Sequence, residues 1–153
     1  MKKLLTPLLL AACVLTLAGC SSFNRGVTAV GLGVELTDIK RADDGSVAVS
    51  WNLVNPNIAS YLLAQVDHKI FLNGTLVGTT RDTEPMAAPA QRATGKVTPL
   101  VLAGSAAERV IAEAVAAGRA SYRVDTELLI RLYGDTTDKG SLTRSGSVPV
   151  TGK

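Results

Sequence analysis

Apolar residues alternate with polar ones along most of the chain from residue 30 onward, which is the pattern of strands with one buried face. Four segments carry this period of two: Val30 to Leu36, Val47 to Leu53, Val66 to Leu72 and Tyr122 to Leu132. Leu142 to Val150 is predicted as a final strand. Leu76 and Val77 begin a further strand, and residues 97–102 are apolar enough for another. Pro99 cannot donate a hydrogen bond to a neighbouring strand, so this last segment is expected at a sheet edge or bulge.

Turn residues separate these segments. Asn73-Gly74 follows the third strand at once and predicts a hairpin with a type I′ turn, since both residues tolerate positive φ. Asp43-Asp44-Gly45 predicts another turn, and residues 83–92, with Pro85 and Pro89, are expected to form a loop.

One segment has helical spacing. Ser105 opens it, and Glu108 three residues later predicts a capping box. An apolar stripe follows, made of Ala107, Val110, Ile111, Ala114 and Val115. Gly118 is placed to end the helix.

Together these elements predict a mainly β protein, an immunoglobulin-like or fibronectin type III-like β-sandwich of about seven strands with one short helix. Trp51 shares the alternating face of Val47, Val49 and Leu53, and is therefore expected in the core.

The first twenty residues follow a different pattern. Lys2 and Lys3 precede an apolar run that ends in Leu17-Ala18-Gly19-Cys20. A short cationic start, a run too short to span a membrane comfortably and small residues before a cleavage point are typical of a secretory signal peptide. A cysteine directly after them resembles the lipobox of bacterial lipoproteins, which implies cleavage before Cys20 and a diacylglyceryl group on its thiol.

This interpretation divides the chain into a signal peptide (1–19), a lipidated tether (20–26) and one β-sandwich domain (27–150). Several acyl chains at Cys20 would anchor the protein to a membrane almost permanently. Ser21 stands where aspartate is the usual signal for retention at the inner membrane, so we expect the periplasmic face of the outer membrane in a cell with two membranes.

Removal of the leader changes the charge. The whole chain has 16 basic and 13 acidic residues. Loss of Lys2 and Lys3 leaves 14 basic residues, a net charge of +1, which provides no electrostatic footprint for nucleic acid. Cys13 leaves with the leader and Cys20 carries lipid, so the mature domain is expected to contain no disulfide and no catalytic thiol.

Candidate catalytic residues are few. His68 is the sole histidine and lies on an alternating strand face, where a structural role is expected. Asp67 points to the opposite face of that strand and cannot orient it. The carboxylates Asp38, Asp43, Asp44, Asp82 and Glu84 are expected in solvated turns, not in a calcium or glycosidase site. We therefore expect no enzyme, no cofactor and no metal site.

One segment identifies a resemblance. An alternating strand ends in Asn55-Pro56-Asn57, where Pro56 holds Asn55 extended and Asn57 is able to bond nearby backbone. A strand ending in Asn73-Gly74, a proline-bearing strand, a short helix and a long strand follow. This order, over roughly residues 27–150, resembles the late embryogenesis abundant (LEA) type 2 family, also called the water stress and hypersensitive response domain.

The resemblance implies a compact β-sandwich, a structural role for Asn55, Pro56 and Asn57, and a non-enzymatic role in tolerance of drying, cold and other stress. It implies no catalytic residues. Two other functions remain open at this point: a module that binds lipid or another hydrophobic ligand beside the membrane, and an adaptor in envelope assembly. An apolar pocket would favour the first, an exposed sheet edge or aromatic patch would favour the second, and a uniformly polar exterior would favour stress protection.

Overall fold

The computed structural model describes residues 31–132 and 136–152. Within them the protein is mainly β, with one helix. The strands are β1 (Gly33–Arg41), β2 (Val47–Asn55), β3 (Tyr61–Leu72), β4 (Thr75–Asp82), β5 (Met86–Ala88), β6 (Arg92–Pro99), β7 (Val101–Leu102), β8 (Arg119–Arg131) and β9 (Thr137–Gly152), and the helix is α1 (Ser105–Ala117). No helix among these residues is long and apolar enough to cross a membrane.

The strands form one curled sheet, in the order β6-β2-β1-β9-β8-β3-β4-β7, with β5 paired to β3. The expectation of a mainly β protein with one helix is confirmed, but that of an immunoglobulin-like or fibronectin type III-like sandwich of about seven strands is wrong, since the described residues form nine strands in one curled sheet. β9 is the reason that the sheet is continuous. It pairs antiparallel with β8 along most of its 16 residues, and its last residues pair parallel with the end of β1.

The curl brings two layers face to face, and their inward side chains form the core. The alternating faces predicted for β2, β3 and β8 are confirmed, because Val47, Val49, Trp51 and Leu53 are buried on β2, as are their counterparts on β3 and on β8 up to Ile130. Trp51 is 1% exposed, which confirms its place in the core. At one edge of the curl, Lys96 of β6 forms ion pairs with Asp82 and Glu84, which bridges the two layers.

The segment between β4 and β7 differs from its prediction. Residues 83–92 were expected to form a loop, but Met86 and Ala88 are buried and β5 pairs with the start of β3. The predicted strand over residues 97–102 is divided between β6 and β7, which pair with different layers. Pro99 lies at the end of β6, an edge strand, as expected from its missing N–H.

The hairpin and the helix follow the sequence closely. Asn73 and Gly74 have φ of 48° and 84°, which confirms the turn with positive φ at both residues. The helix begins at Ser105 and ends before Gly118, whose left-handed φ of 72° confirms the predicted stop. The prediction of a capping box is wrong. Gly104 is the N-cap residue, no side chain caps the N-terminus of the helix, and Ser105 already lies within the first turn.

Candidate functional site

Asn55 is the last residue of β2 and joins the two layers at one end of the sheet. Its side chain is 1% exposed. Nδ2 lies within hydrogen-bond distance of the carbonyl oxygens of Ala59 (2.8 Å), Ala88 (2.9 Å) and Pro89 (3.2 Å), and Oδ1 accepts from the backbone N–H of Asn57 at 3.0 Å. One amide therefore satisfies backbone groups at two places where the chain crosses between the layers, from β2 to β3 and from β5 to β6.

Further contacts hold the loop of residues 56–60 in place. The N–H of Gln91 donates to the carbonyl of Asn57 at 3.0 Å, and the N–H of Ala90 donates to Ser60 Oγ at 3.0 Å. Gly31, the first described residue, lies against Asn57, because a Cβ added to Gly31 would be 3.2 Å from Asn57 Oδ1. We call this end of the sheet the entry end: residues 31–33, the loop of residues 56–60, and the adjoining ends of β6 and β8.

The entry end exposes apolar side chains. Ile58 is 90% exposed at the loop, while Leu62 at the start of β3 and Leu132 just after β8 are 38% and 39% exposed. Leu62 pairs with Arg131, so the apolar side chains stand beside a cation. The sequence pattern missed Ile58, although its position as a single apolar residue directly after Asn-Pro-Asn was a usable signal.

A row of polar side chains crosses the core. In the strand register His68 of β3 stands between Thr80 of β4 and Thr126 of β8, and all three are buried. His68 Nδ1 and Thr126 Oγ1 are 2.8 Å apart and hydrogen-bonded. His68 Nε2 and Thr80 Oγ1 have no hydrogen-bond partner among the described residues.

Burial decides the charge state of His68. Removal from water lowers the pKa of His68 to about 4, and the negative charges of Asp67 and Asp82 oppose that shift only in part. The imidazole is therefore neutral at pH 7. With 1% of its surface exposed, it lies beyond the reach of a substrate in solution.

Asp67 points away from His68, as the alternation of the strand predicted. Burial acts to raise the pKa of Asp67, but hydrogen bonds from Arg81 and Gln65 outweigh it and the pKa is lowered. Arg81 Nε lies 2.9 Å from Asp67 Oδ1 on the outer surface. This ion pair belongs to the exterior of the sheet, and the pair needed for a catalytic triad does not form.

The other carboxylates are dispersed, and the expectation of solvated turns is wrong for Asp38 and Asp82, which are half-buried residues of β1 and β4. Asp44 accepts hydrogen bonds from the hydroxyl and from the backbone N–H of Ser46. Both lower the pKa of Asp44, and the hydroxyl has the larger effect. Asp82 and Glu84 pair with Lys96, and their hydrogen bonds raise the pKa of Lys96. The described residues contain no group of three His, Cys, Asp or Glu side chains that could hold a metal ion.

A small cleft lies at the opposite end of the sheet, between the β1–β2 turn and α1. Its volume is about 230 Å³, and its walls include Arg41, Asp44 and Glu108 as well as Val47 and Ile111. Ligand sites usually measure about 300–1,000 Å³ and are mostly apolar. This cleft therefore does not resemble a site for an acyl chain.

Cys20 and the predicted leader and tether lie outside the described residues. Within the described residues, the structure brings Asn55 and Asn57 together at the entry end. His68 lies apart from that end, buried between the layers and in contact with Trp51. The tertiary contacts of Asn55 with Ala88 and Pro89 carried no signal in the sequence.

No family model and no curated protein matches the chain. Several solved structures match the chain. A protein of Arabidopsis thaliana with a solution structure is 19% identical, with a TM-score of 0.52, over 79% of this chain and 80% of its own. A protein from Archaeoglobus fulgidus is 16% identical, over 77% of this chain and 94% of its own, with a TM-score of 0.47. A third, provisionally assigned as a late embryogenesis abundant (LEA) protein, is 15% identical, over 80% and 74%, with a TM-score of 0.34. The chain is thus similar in fold to the Arabidopsis protein.

Proposed function

We propose that the protein is a membrane-anchored, non-enzymatic lipoprotein of the LEA type 2 kind, which protects the cell envelope during drying, cold or related stress. Its anchor is lipid on Cys20, and its working part is the outer surface of the curled sheet. We place it on the periplasmic face of the outer membrane.

The observation that carries the proposal is the set of hydrogen bonds made by the buried side chain of Asn55. The residue that opens the Asn-Pro-Asn motif ties two loops across the layers with four short contacts of one buried amide. The motif on which the family resemblance rests is thereby part of the framework of the fold.

A second observation supports a role without catalysis. His68 is neutral and buried, and Asp44, Asp82 and Glu84 pair with Ser46 or with Lys96. A stable folded surface can shield partly unfolded proteins by weak contacts without any such chemistry, and this is the mechanism we propose.

The test compares drying survival in a bacterium that lacks its own copy of the protein. The full-length chain, its Cys20→Ala variant and its Trp51→Ala variant are expressed at equal levels, and survival and leakage of periplasmic enzymes are measured after drying. We expect protection from the full-length chain only. Cys13→Ala is the matched control, because it removes a cysteine from the leader and leaves Cys20. Equal survival with and without the full-length chain would contradict the proposal.

One observation favours an adaptor as the second candidate. β6 is an edge strand with Val97 63% exposed, and Val101 of β7 is 69% exposed. Lys96 and Pro99 oppose simple strand addition along this edge, so a partner would bind the exposed side chains of Val97 and Val101. A photo-crosslinker at Val97 in growing cells would reveal a protein partner, and a single reproducible product would favour the adaptor over protection.

A further inference from the structure

The exposed residue Ile58 stands out by its place in the fold. An isolated exposed isoleucine is common on protein surfaces and needs no explanation alone. Here the side chain is 90% exposed in a loop whose two ends are held by Asn55 and Ser60. The backbone contacts leave Ile58 directed away from the core while its position is set by the framework.

The length of the tether limits which end of the sheet is able to approach a membrane. Ten residues lie between Cys20 and Gly31 in the sequence, and the eleven residue-to-residue steps from one to the other reach at most about 40 Å when fully extended. β8, with 13 residues, runs about 44 Å from the helix end to the entry end. Gly31 lies at the entry end against Asn57, so a lipid on Cys20 holds this end nearest to the bilayer.

Charge at the entry end matches an anionic surface. Arg92 pairs with Asn55 in the register of β2 and β6, Arg131 pairs with Leu62, and Lys139 lies opposite Leu129. These three cations are exposed, and Asp138, half-buried on β9, opposes them at the same end. Asp82 and Glu84 lie slightly farther along the sheet and share Lys96, so the excess of positive charge at the entry end is small and comes from Arg92 and Arg131. This excess attracts anionic lipid headgroups.

We propose that the entry end is a membrane-docking surface: Ile58 inserts among the headgroups of an anionic phospholipid bilayer, with Leu62 and Leu132 behind it and Arg92 and Arg131 on the phosphates. The inference rests on the lipidation of Cys20 given above and adds the orientation of the domain. The other end, with α1 and the small cleft, then faces away from the bilayer.

The experiment uses the full-length, lipidated protein in vesicles. Cys20 is blocked by its lipid and Cys13 is removed with the leader, so a cysteine introduced at Ile58 is the single thiol of the mature chain. Ile58→Cys is labelled with a small fluorophore and quenched by phospholipids that carry a nitroxide at the headgroup. Val101→Cys is the matched control, an aliphatic residue 69% exposed. Through Thr79 it is in register with Lys69, seven residues along β3 from Leu62.

We expect several-fold stronger quenching at position 58 than at position 101, in vesicles that contain phosphatidylglycerol. Replacing both Arg92 and Arg131 by Gln in the labelled protein should reduce the difference between phosphatidylglycerol and phosphatidylcholine vesicles. Equal quenching at the two positions in a protein that remains bound to vesicles would overturn the docking surface and leave the anchor intact. A chain that carries no lipid on Cys20, seen by mass spectrometry, would overturn both.

Discussion

Trp51 and His68 meet edge to face across the two layers of the sheet, with ring centroids 4.6 Å apart and ring planes at 75°. Each ring is held by a threonine of its own layer: Trp51 Nε1 donates to Thr98 Oγ1 at 3.2 Å, and His68 Nδ1 bonds Thr126 Oγ1 at 2.8 Å. The contact joins β2 to β3, strands that are far apart in the sheet order. It is therefore a direct link between the layers.

Replacing Trp51 by Ala should lower the free energy of unfolding by roughly 3–5 kcal/mol, because a large buried ring is lost and a cavity remains. Trp51→Phe keeps most of the packing and loses the hydrogen bond to Thr98, so it should cost much less. Urea unfolding of both variants provides the measurement. A wild-type stability for Trp51→Ala would contradict its place in the core.

Stability should depend on pH through His68. Its pKa is about 4 in the folded protein and 6.5 in the unfolded chain, so the unfolded chain takes up more protons between these values. The contribution of His68 to the free energy of unfolding is fully present above about pH 6.5. It decreases as the pH falls to 4, by a total of about 3 kcal/mol.

Melting temperatures at closely spaced pH values test this expectation. His68→Gln should flatten the decrease between pH 6.5 and 4. Asp44→Asn is the matched control, since hydrogen bonds from Ser46 lower the pKa of Asp44 and so confine its contribution to pH values below its ordinary value of 3.8. An unchanged profile in His68→Gln would show that another group titrates there.

The two threonines beside His68 should respond differently to the same change. Thr126→Val removes the partner of His68 Nδ1 and should cost about 1–3 kcal/mol, since a buried polar atom loses its hydrogen bond. Thr80→Val removes a hydroxyl that has no partner among the described residues, and should be neutral or slightly stabilising. Equal losses in the two variants, measured by denaturant unfolding, would disprove the distinction.

Asn55→Asp should destabilise the entry end more than Asn55→Ala. The carboxylate cannot donate and would face the carbonyl oxygens of Ala59, Ala88 and Pro89, whereas alanine only leaves them unpaired, at about 1–3 kcal/mol for a buried group. Hydrogen exchange of the N–H groups of Asn57 and Gln91 should accelerate in both variants. Ile58→Ala, an exposed position in the same loop, should leave exchange unchanged.

Cys20→Ala should abolish incorporation of labelled palmitate and leave an uncut precursor or a form released from the membrane. The reason is that the thiol of Cys20 is the expected attachment point of the lipid. Cys13→Ala should be processed as the wild type. Label retained by the Cys20 variant would show that the anchor lies elsewhere.

The sequence by itself determined which residues face inward, because burial on one face of a strand imposes a period of two that is visible over seven or more residues. Val47 to Leu53 and Val66 to Leu72 are examples. It also determined the Asn73-Gly74 turn and the end of α1 at Gly118, where a positive φ restricts the residue locally. Of the candidate site, the motif at Asn55 and the inward position of His68 were accessible in this way.

Only the tertiary structure decided how the strands combine. Pairing between distant strands leaves no local periodicity, so the two partners of β9, the three residues of β5 and the division between β6 and β7 could not be read from the chain. The acceptors of Asn55 lie on residues 59, 88 and 89, and the neighbours of His68 come from β2, β4 and β8. Those contacts exist because the sheet curls until its layers meet.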